Sequence, residues 1–348
     1  MKSKVEERIE WIDYMKLFAC FLVVFGHLYM SLMVGGWLLE DAVYYCLPIQ
    51  TIYTFHVPLF FVCSGFLYQY KIGDYTIKSH IKNIKNKILN LGIPYITFTI
   101  ITLTLKNLFS DSVNNQATPF FKTIFLEPIA PYWYLYTLFF IFCIIPKQKN
   151  NKGLGVVLLI SLIIKFVYVL FLWKIRLPDI IVKLANNIIW FSLGMLLANE
   201  RYREKFLNVF LMVLCFVSGI ILSVIFYQSI CESYRVQFSI SIMFVYAFVC
   251  MFAKMKKNLY RLSIVNLSQY FLPIYLLHTI VAATVRTILL RIGISSFGMH
   301  FLSELILSIV IPILIYEICK KKWWLLFWIE PKNAIKMKRK IECLSIND

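Results

Sequence analysis

The run WIDYMKLFACFLVVFGHLYMSLMV places Asp13, Lys16 and His27 inside one long apolar stretch. Two more histidines sit in similar surroundings, His56 in YTFHVPLFFVCSGFLY and His278 in FLPIYLLHTIV, so three of the five histidines lie at membrane depth. An ionisable side chain is costly there and is read as functional by default. Imidazole takes up and releases protons near neutral pH, so the chemistry on offer is proton transfer, in catalysis or in transport. Eleven residues separate Lys16 from His27. That is close to three helical turns, so the two share a face, with Asp13 nearby and His27 roughly 16 Å farther along the axis. A stripe carrying these groups does not face lipid. Asp13 and Lys16 equally suit an ion pair at the membrane boundary.

Pro58 follows His56 closely. A proline has no N–H, so it frees a backbone carbonyl and can bend the helix beside a cavity. Ser64 and Gly65 permit close backbone approach, by a neighbouring helix in the first instance or by a ligand. Ser64 lacks a base at helical spacing: His56 is eight residues away, about 80° round the helix, and no GxSxG turn occurs. His278, after Pro273 and beside Tyr275, suits an interhelical hydrogen bond as well as a site role.

These groups need a membrane-embedded scaffold, and the composition supplies one. The chain has 348 residues, 60% hydrophobic and 16% charged, with a mean hydropathy of +0.73. A soluble chain is about half apolar and about a quarter charged. Long unbroken apolar runs, rather than short alternating segments, specify an all-α polytopic membrane protein and exclude a β-barrel. About ten spans are expected, at 12–34, 47–69, 89–109, 132–146, 153–173, 178–198, 206–227, 235–253, 266–289 and 300–318. The fourth is short. KKKWWLLFWIEPK, after the tenth, suits a segment lying on the headgroups.

With the N-terminus inside, the inner segments hold 26 of the 36 Lys and Arg, the outer ones 8, and Lys16 and Lys165 fall within spans. That bias puts both termini in the cytoplasm. It also accounts for most of the +18 net charge, together with attraction to anionic membrane lipid, so nucleic-acid binding is not expected. Residues 1–330 read as a single transmembrane domain and 331–348 as a basic cytoplasmic tail. The first apolar run is too long for a signal-peptide core and is expected to stay as a span. The nine cysteines form no CxxC pair and read as packing residues, not as a disulfide or metal framework. Lys165, in the fifth span, is expected either to pair with a carboxylate such as Glu304 or to line a cavity.

WIDYMKLFACFLVVFGH and FHVPLFFVCSGFLY resemble the opening motifs of the acyltransferase-3 family of integral membrane acyltransferases. The likeness continues in NKILNLGIPY, PYWYLYTLFF and LSQYFLPIYLLH and covers essentially the whole chain. The family's first-helix histidine falls on His27, and its basic residue eleven positions earlier falls on Lys16, where many members have arginine. Its arginine-rich stretch corresponds loosely to Lys82, Lys85 and Lys87, and its aromatic motif to Trp133 and Tyr134. Some members carry a fused extracytoplasmic transferase domain; this chain leaves no room for one and is closer to the stand-alone, fucose 4-O-acetylase-like branch.

The resemblance implies an O-acetyltransferase of the bacterial cytoplasmic (inner) membrane. The donor would be an acyl-CoA, acetyl-CoA before others, and no metal is implied. The acceptor would be a sugar hydroxyl of a glycan or lipid-linked saccharide. The CoA phosphates would meet Lys82, Lys85 and Lys87, and the pantetheine arm would pass Lys16 to reach His27 as general base, with His56 and Asp13 in support. Ser64, Trp133, Tyr134 and His278 would contact substrate. A covalent acyl relay stays open beside direct transfer. The rival class is a proton-coupled transporter or flippase, which would use intramembrane histidines and prolines equally well.

Overall fold

The structure is a computed structural model, and it describes residues 9–37, 43–70, 76–109, 119–230, 232–255 and 267–345. Every regular element among the described residues is helical. In lipid no water satisfies the backbone, so a chain this apolar closes its hydrogen bonds within helices. Each of the ten expected spans holds a helix. They are α1 Glu10–Val34, α2 Val43–Tyr70, α3 Ile77–Leu108, α4 Trp133–Ile144, α5 Asn151–Leu172, α6 Asp179–Leu197, α7 (Glu200–Phe206 and Val209–Ile225), α8 Tyr234–Lys254, α9 Ser268–Arg291 and α10 Phe297–Cys319.

Eight of these are long and apolar enough to cross a membrane, and α7 makes nine if its two pieces, bent by 61°, form one span. The helix that falls short is α4, the span already expected to be short, so about ten becomes eight or nine among the described residues. Its 12 residues rise only about 18 Å, against roughly 30 Å of hydrocarbon. Irregular backbone precedes it, and Ala130 and Pro131 of that stretch line cavities. Non-helical chain at membrane depth is tolerated where it lines a cavity.

α1 is the central post, packed against α2, α8, α9 and α10. α2 packs most extensively on α6. Two glycines set that approach: a Cβ on Gly65 would lie 1.9 Å from the Phe191 carbonyl oxygen, and one on Gly194 would lie 2.0 Å from that of Val62. Gly65 thus serves helix packing, as small residues do in membranes. Gly194→Ala is expected to force the helices apart. Overpacking costs about 1–3 kcal/mol even where side chains can yield, and backbone cannot. The check is a lowered melting temperature and loss of the monodisperse peak in detergent; an unchanged melting curve would contradict the packing.

The partner expected for Lys165 is engaged elsewhere. Glu304, fully buried, takes a bidentate pair from Arg286, with Nε to Oε1 at 3.0 Å and Nη2 to Oε2 at 2.5 Å. His300 Nδ1 lies 3.2 Å from the same carboxylate, and Arg286 also donates to Ser31 of α1. The planar guanidinium matches a carboxylate better than an ammonium does. This network ties α1, α9 and α10 together near one end of the bundle. After α10, Trp323–Leu326 forms one short turn with Trp324 and Trp328 exposed. Residues of the expected tail form a helix, Pro331–Ser345, with Ala334 fully buried.

Candidate active site

His27 sits in the second half of α1, half-buried, on a wall shared by two cavities. The larger, about 960 Å³, lies between α1, α3 and α9 and has His278 in its lining. The smaller, about 400 Å³, is enclosed by α1, α2, α4, α5, α6 and α8 and has His56, Trp133 and Tyr134 in its lining. The His27 and His278 rings stand 5.4 Å apart. On the other side, Tyr53 stands between the histidines of α1 and α2, 6.3 Å from His27 and 4.9 Å from His56. Four rings therefore run in a row across the bundle, His278, His27, Tyr53 and His56.

Backbone carbonyls fix two of the imidazoles. His278 Nδ1 lies 3.0 Å from the carbonyl oxygen of Ile274 and 2.9 Å from that of Tyr275. A carbonyl only accepts, so Nδ1 carries the hydrogen and Nε2 keeps a lone pair. Nε2 is buried and has no hydrogen-bond partner among the described residues. His56 Nδ1 donates to the Ile52 carbonyl at 2.8 Å, with the same consequence. The carbonyl freed by Pro58 is that of Thr54, and Ser241 of α8 donates to it at 2.6 Å. The proline thus couples α2 to α8 beside His56.

The smaller cavity is the more polar of the two. Lys165 is buried in its wall and donates to Asn186 Oδ1 at 2.5 Å. Its resting place is a cavity wall and an amide partner. An Asp179–Lys183 ion pair, Asn187 and Gln237 complete that lining, and the Lys183 ammonium stands 5.4 Å from the Trp133 ring centroid. Sequence reasoning passed over Tyr53, Asn186, Asn187 and Gln237. Signals existed for three of these: Tyr53 precedes His56 by three residues on one helical face, and the consecutive asparagines Asn186 and Asn187 are unusual in an apolar span.

The other expected site residues lie apart from His27. Ser64 Oγ is 2.9 Å from the Tyr134 hydroxyl and outside both cavities. Asp13 is buried fourteen residues before His27, about 21 Å along the helix, so it does not share these cavities. Asp13 and Lys16 both act electrostatically on Cys63 of α2. Lys82 and Lys85 are exposed, whereas Lys87 turns inward, 3.7 Å over the Phe142 ring. Lys16, Lys147 and Lys332 are within electrostatic reach of Lys87. A further cavity of about 400 Å³ lies close by, lined by Thr76, His80, Lys147 and Lys149 among others.

Comparison with known proteins identifies the family. Residues 9–317 match the model of a family described as an acyltransferase domain, Acyl_transf_3. The nodulation protein NolL of Mesorhizobium japonicum is 28% identical over 144 residues, which cover 41% of this chain and 37% of that protein. The chain thus matches little more than a third of its curated relative's length. No solved structure matches. With a family model matched over nearly its whole length, this polytopic helical chain belongs to the acyltransferase-3 family of membrane acyltransferases.

Proposed function

We propose that the protein moves an acyl group, acetyl in the simplest case, from acyl-CoA to a hydroxyl of a cell-surface glycan or its precursor. The observation that carries this reading is the place of His27 on the wall common to two cavities. A donor and an acceptor reaching it from different sides would meet at one imidazole. The smaller cavity offers aromatic faces, three amides, a carboxylate and two ammonium groups. Convergent polar groups of this kind fix the orientation of a bound ligand.

The reaction then follows from the residues. A hydroxyl is a weak nucleophile near neutral pH, and a positioned neutral imidazole removes its proton as the oxygen attacks the thioester carbonyl. The tetrahedral intermediate collapses, the C–S bond breaks, and the imidazolium returns the proton to the departing CoA sulfur. The products are the ester and free CoA. Direct transfer is favoured over a relay on Ser64, whose hydroxyl is engaged with Tyr134 and has no imidazole beside it.

The donor phosphates are assigned to the N-terminal end of α1, the cytoplasmic end by charge bias. There Lys16, Lys147 and Lys332 each act electrostatically on Lys87, and a bound polyphosphate would meet that positive potential. Lys87→Ala is expected to raise the KM for acetyl-CoA by roughly tenfold, with a smaller loss at high salt, because a charge-assisted phosphate contact is removed. The test of the function is acyl transfer by protein in nanodiscs. Radiolabelled acetyl-CoA is supplied with a lipid-linked glycan extract, and the label is followed into the glycan. Folded protein that neither binds CoA nor consumes its thioester would sink the proposal and return the transport reading.

A further inference from the structure

The larger cavity has features that transfer to a free sugar does not require. Its walls on α3 and α9 are largely apolar, including Leu103, Phe109 and Ile288. On α9, Ala283, Thr284 and Ile288 line the cavity and are exposed along one stripe. Ile288 lies three residues from the end of α9, and Ala283 lies about 12 Å deeper than Arg291 by helix rise, within the hydrocarbon. α9 packs along α1 and α10 and touches α3 only lightly. Among the described residues nothing covers this stripe, so the cavity opens sideways to lipid between α3 and α9.

Its polar groups are placed equally unusually. Lys106 of α3 is half-buried in the cavity lining, and Arg291 lines it farther out. Neither has a carboxylate within ion-pair distance among the described residues. The depth of Lys106 can be read from its own helix. Thr102 lies one turn earlier, with Oγ1 3.0 Å from the Tyr132 hydroxyl, which in turn donates to the Leu276 carbonyl at 3.0 Å. Lys106 is therefore about 6 Å beyond the level of Leu276, close to the depth of His278. A cation there is expensive unless an anion meets it. At the floor, His278 Nε2 is buried with no hydrogen-bond partner among the described residues. It is a polar atom left ready for a hydroxyl.

We infer that this cavity admits, sideways from the membrane, a saccharide joined through phosphate to a long apolar chain. Lys106 holds the phosphate, the first sugar lies inward against His278 and His27, and the apolar chain leaves over Ala283, Thr284 and Ile288. Arg291 guides the anionic head at the cavity mouth. The inference rests on the acyltransferase reading for what happens at His27. The binding groove itself does not depend on it. Charge complementarity selects the occupant: an uncharged lipid would leave Lys106 unpaired, and a soluble phosphorylated sugar would leave the apolar walls against lipid or water.

The test therefore reads binding and not transfer. A benzophenone-bearing farnesyl phosphate, and the matching farnesyl alcohol, are photolysed with the full chain in phosphatidylcholine nanodiscs, and the labelled peptides are identified by mass spectrometry. Labelling of α3 or α9 is expected, roughly tenfold stronger for the phosphate, as suits one charge-assisted contact in a low-dielectric site. Lys106→Ala is expected to remove the difference between the two probes and Lys106→Arg to restore it. Ala283→Trp, which fills the sideways mouth, is expected to weaken labelling by both. Equal labelling of wild type by phosphate and alcohol would overturn the assignment. So would displacement by phosphatidylglycerol at equal mole fraction, which would make this a general anionic-lipid site, or by inorganic phosphate alone. Donor thioester loss is measured separately, so a failed reaction and a failed groove give different results.

Discussion

His27→Ala is expected to lower acyl transfer by about 10²–10⁴-fold, the range a positioned general base contributes, while donor binding stays within a few fold. The asymmetry follows from where the ring is. His27 makes no hydrogen bond to another described residue and faces two cavities, so its removal enlarges existing space and leaves no dry void or orphaned polar group. The melting temperature should therefore hardly move. The phosphate-binding end of α1 lies roughly 16 Å away and should be indifferent. His27→Gln should fare no better than alanine, because an amide can hydrogen-bond the hydroxyl but cannot accept its proton. Imidazole added to the buffer should restore part of the activity of the alanine variant, through the space vacated. The measurement is radiolabel transfer in nanodiscs, with CoA affinity and melting temperature followed in parallel. A folded alanine variant with full transfer would remove His27 from the chemistry.

The scaffold was legible because a bilayer writes its demands plainly. Runs of about 20 apolar residues have one stable use, and the ten stretches each became a helix. The α1 stripe could also be read, since helical period alone puts Lys16 and His27 on one face. Pro58 announced a free carbonyl, and only its acceptor role toward Ser241 had to be supplied by the fold. What periodicity leaves out is which helices meet. His278 was one candidate among several until α9 packed on α1 and brought its ring to 5.4 Å from His27. His56, nearer in sequence, ended with Tyr53 between it and His27. Lys165 and Glu304 had matching charges, but Arg286 is on the helix packed against α10 and offers the better fork. The shortness of α4 was legible in its brief apolar run. That the chain before Trp133 is irregular and lines the cavities was not, because periodicity does not show what backbone faces.

His278→Phe is expected to lower kcat/KM by roughly 100-fold, about what a 1 Å misplacement of a reacting group costs. Phenylalanine keeps an aromatic ring of similar shape, and the carbonyls of Ile274 and Tyr275 retain the ordinary helix bonds of α9, so the fold should survive. What disappears is Nε2, the buried lone pair with no protein partner. Near His27 that lone pair can accept from a sugar hydroxyl and aim it at the neighbouring imidazole. A lost contact of this kind should appear in kcat if it tightens as the hydroxyl is deprotonated, and in KM if it is equally strong beforehand. His278→Gln, whose amide oxygen accepts from a nearby position, should recover part of the loss. A packing role and a positioning role separate most sharply in the double variant. If His278 acts only by holding the hydroxyl for His27, then His27→Ala with His278→Phe should be scarcely slower than His27→Ala alone. If it merely supports the fold, the two losses should multiply and the melting temperature should fall with them. Multiplying losses would reduce His278 to a core residue and leave His27 to find its acceptor without help from α9.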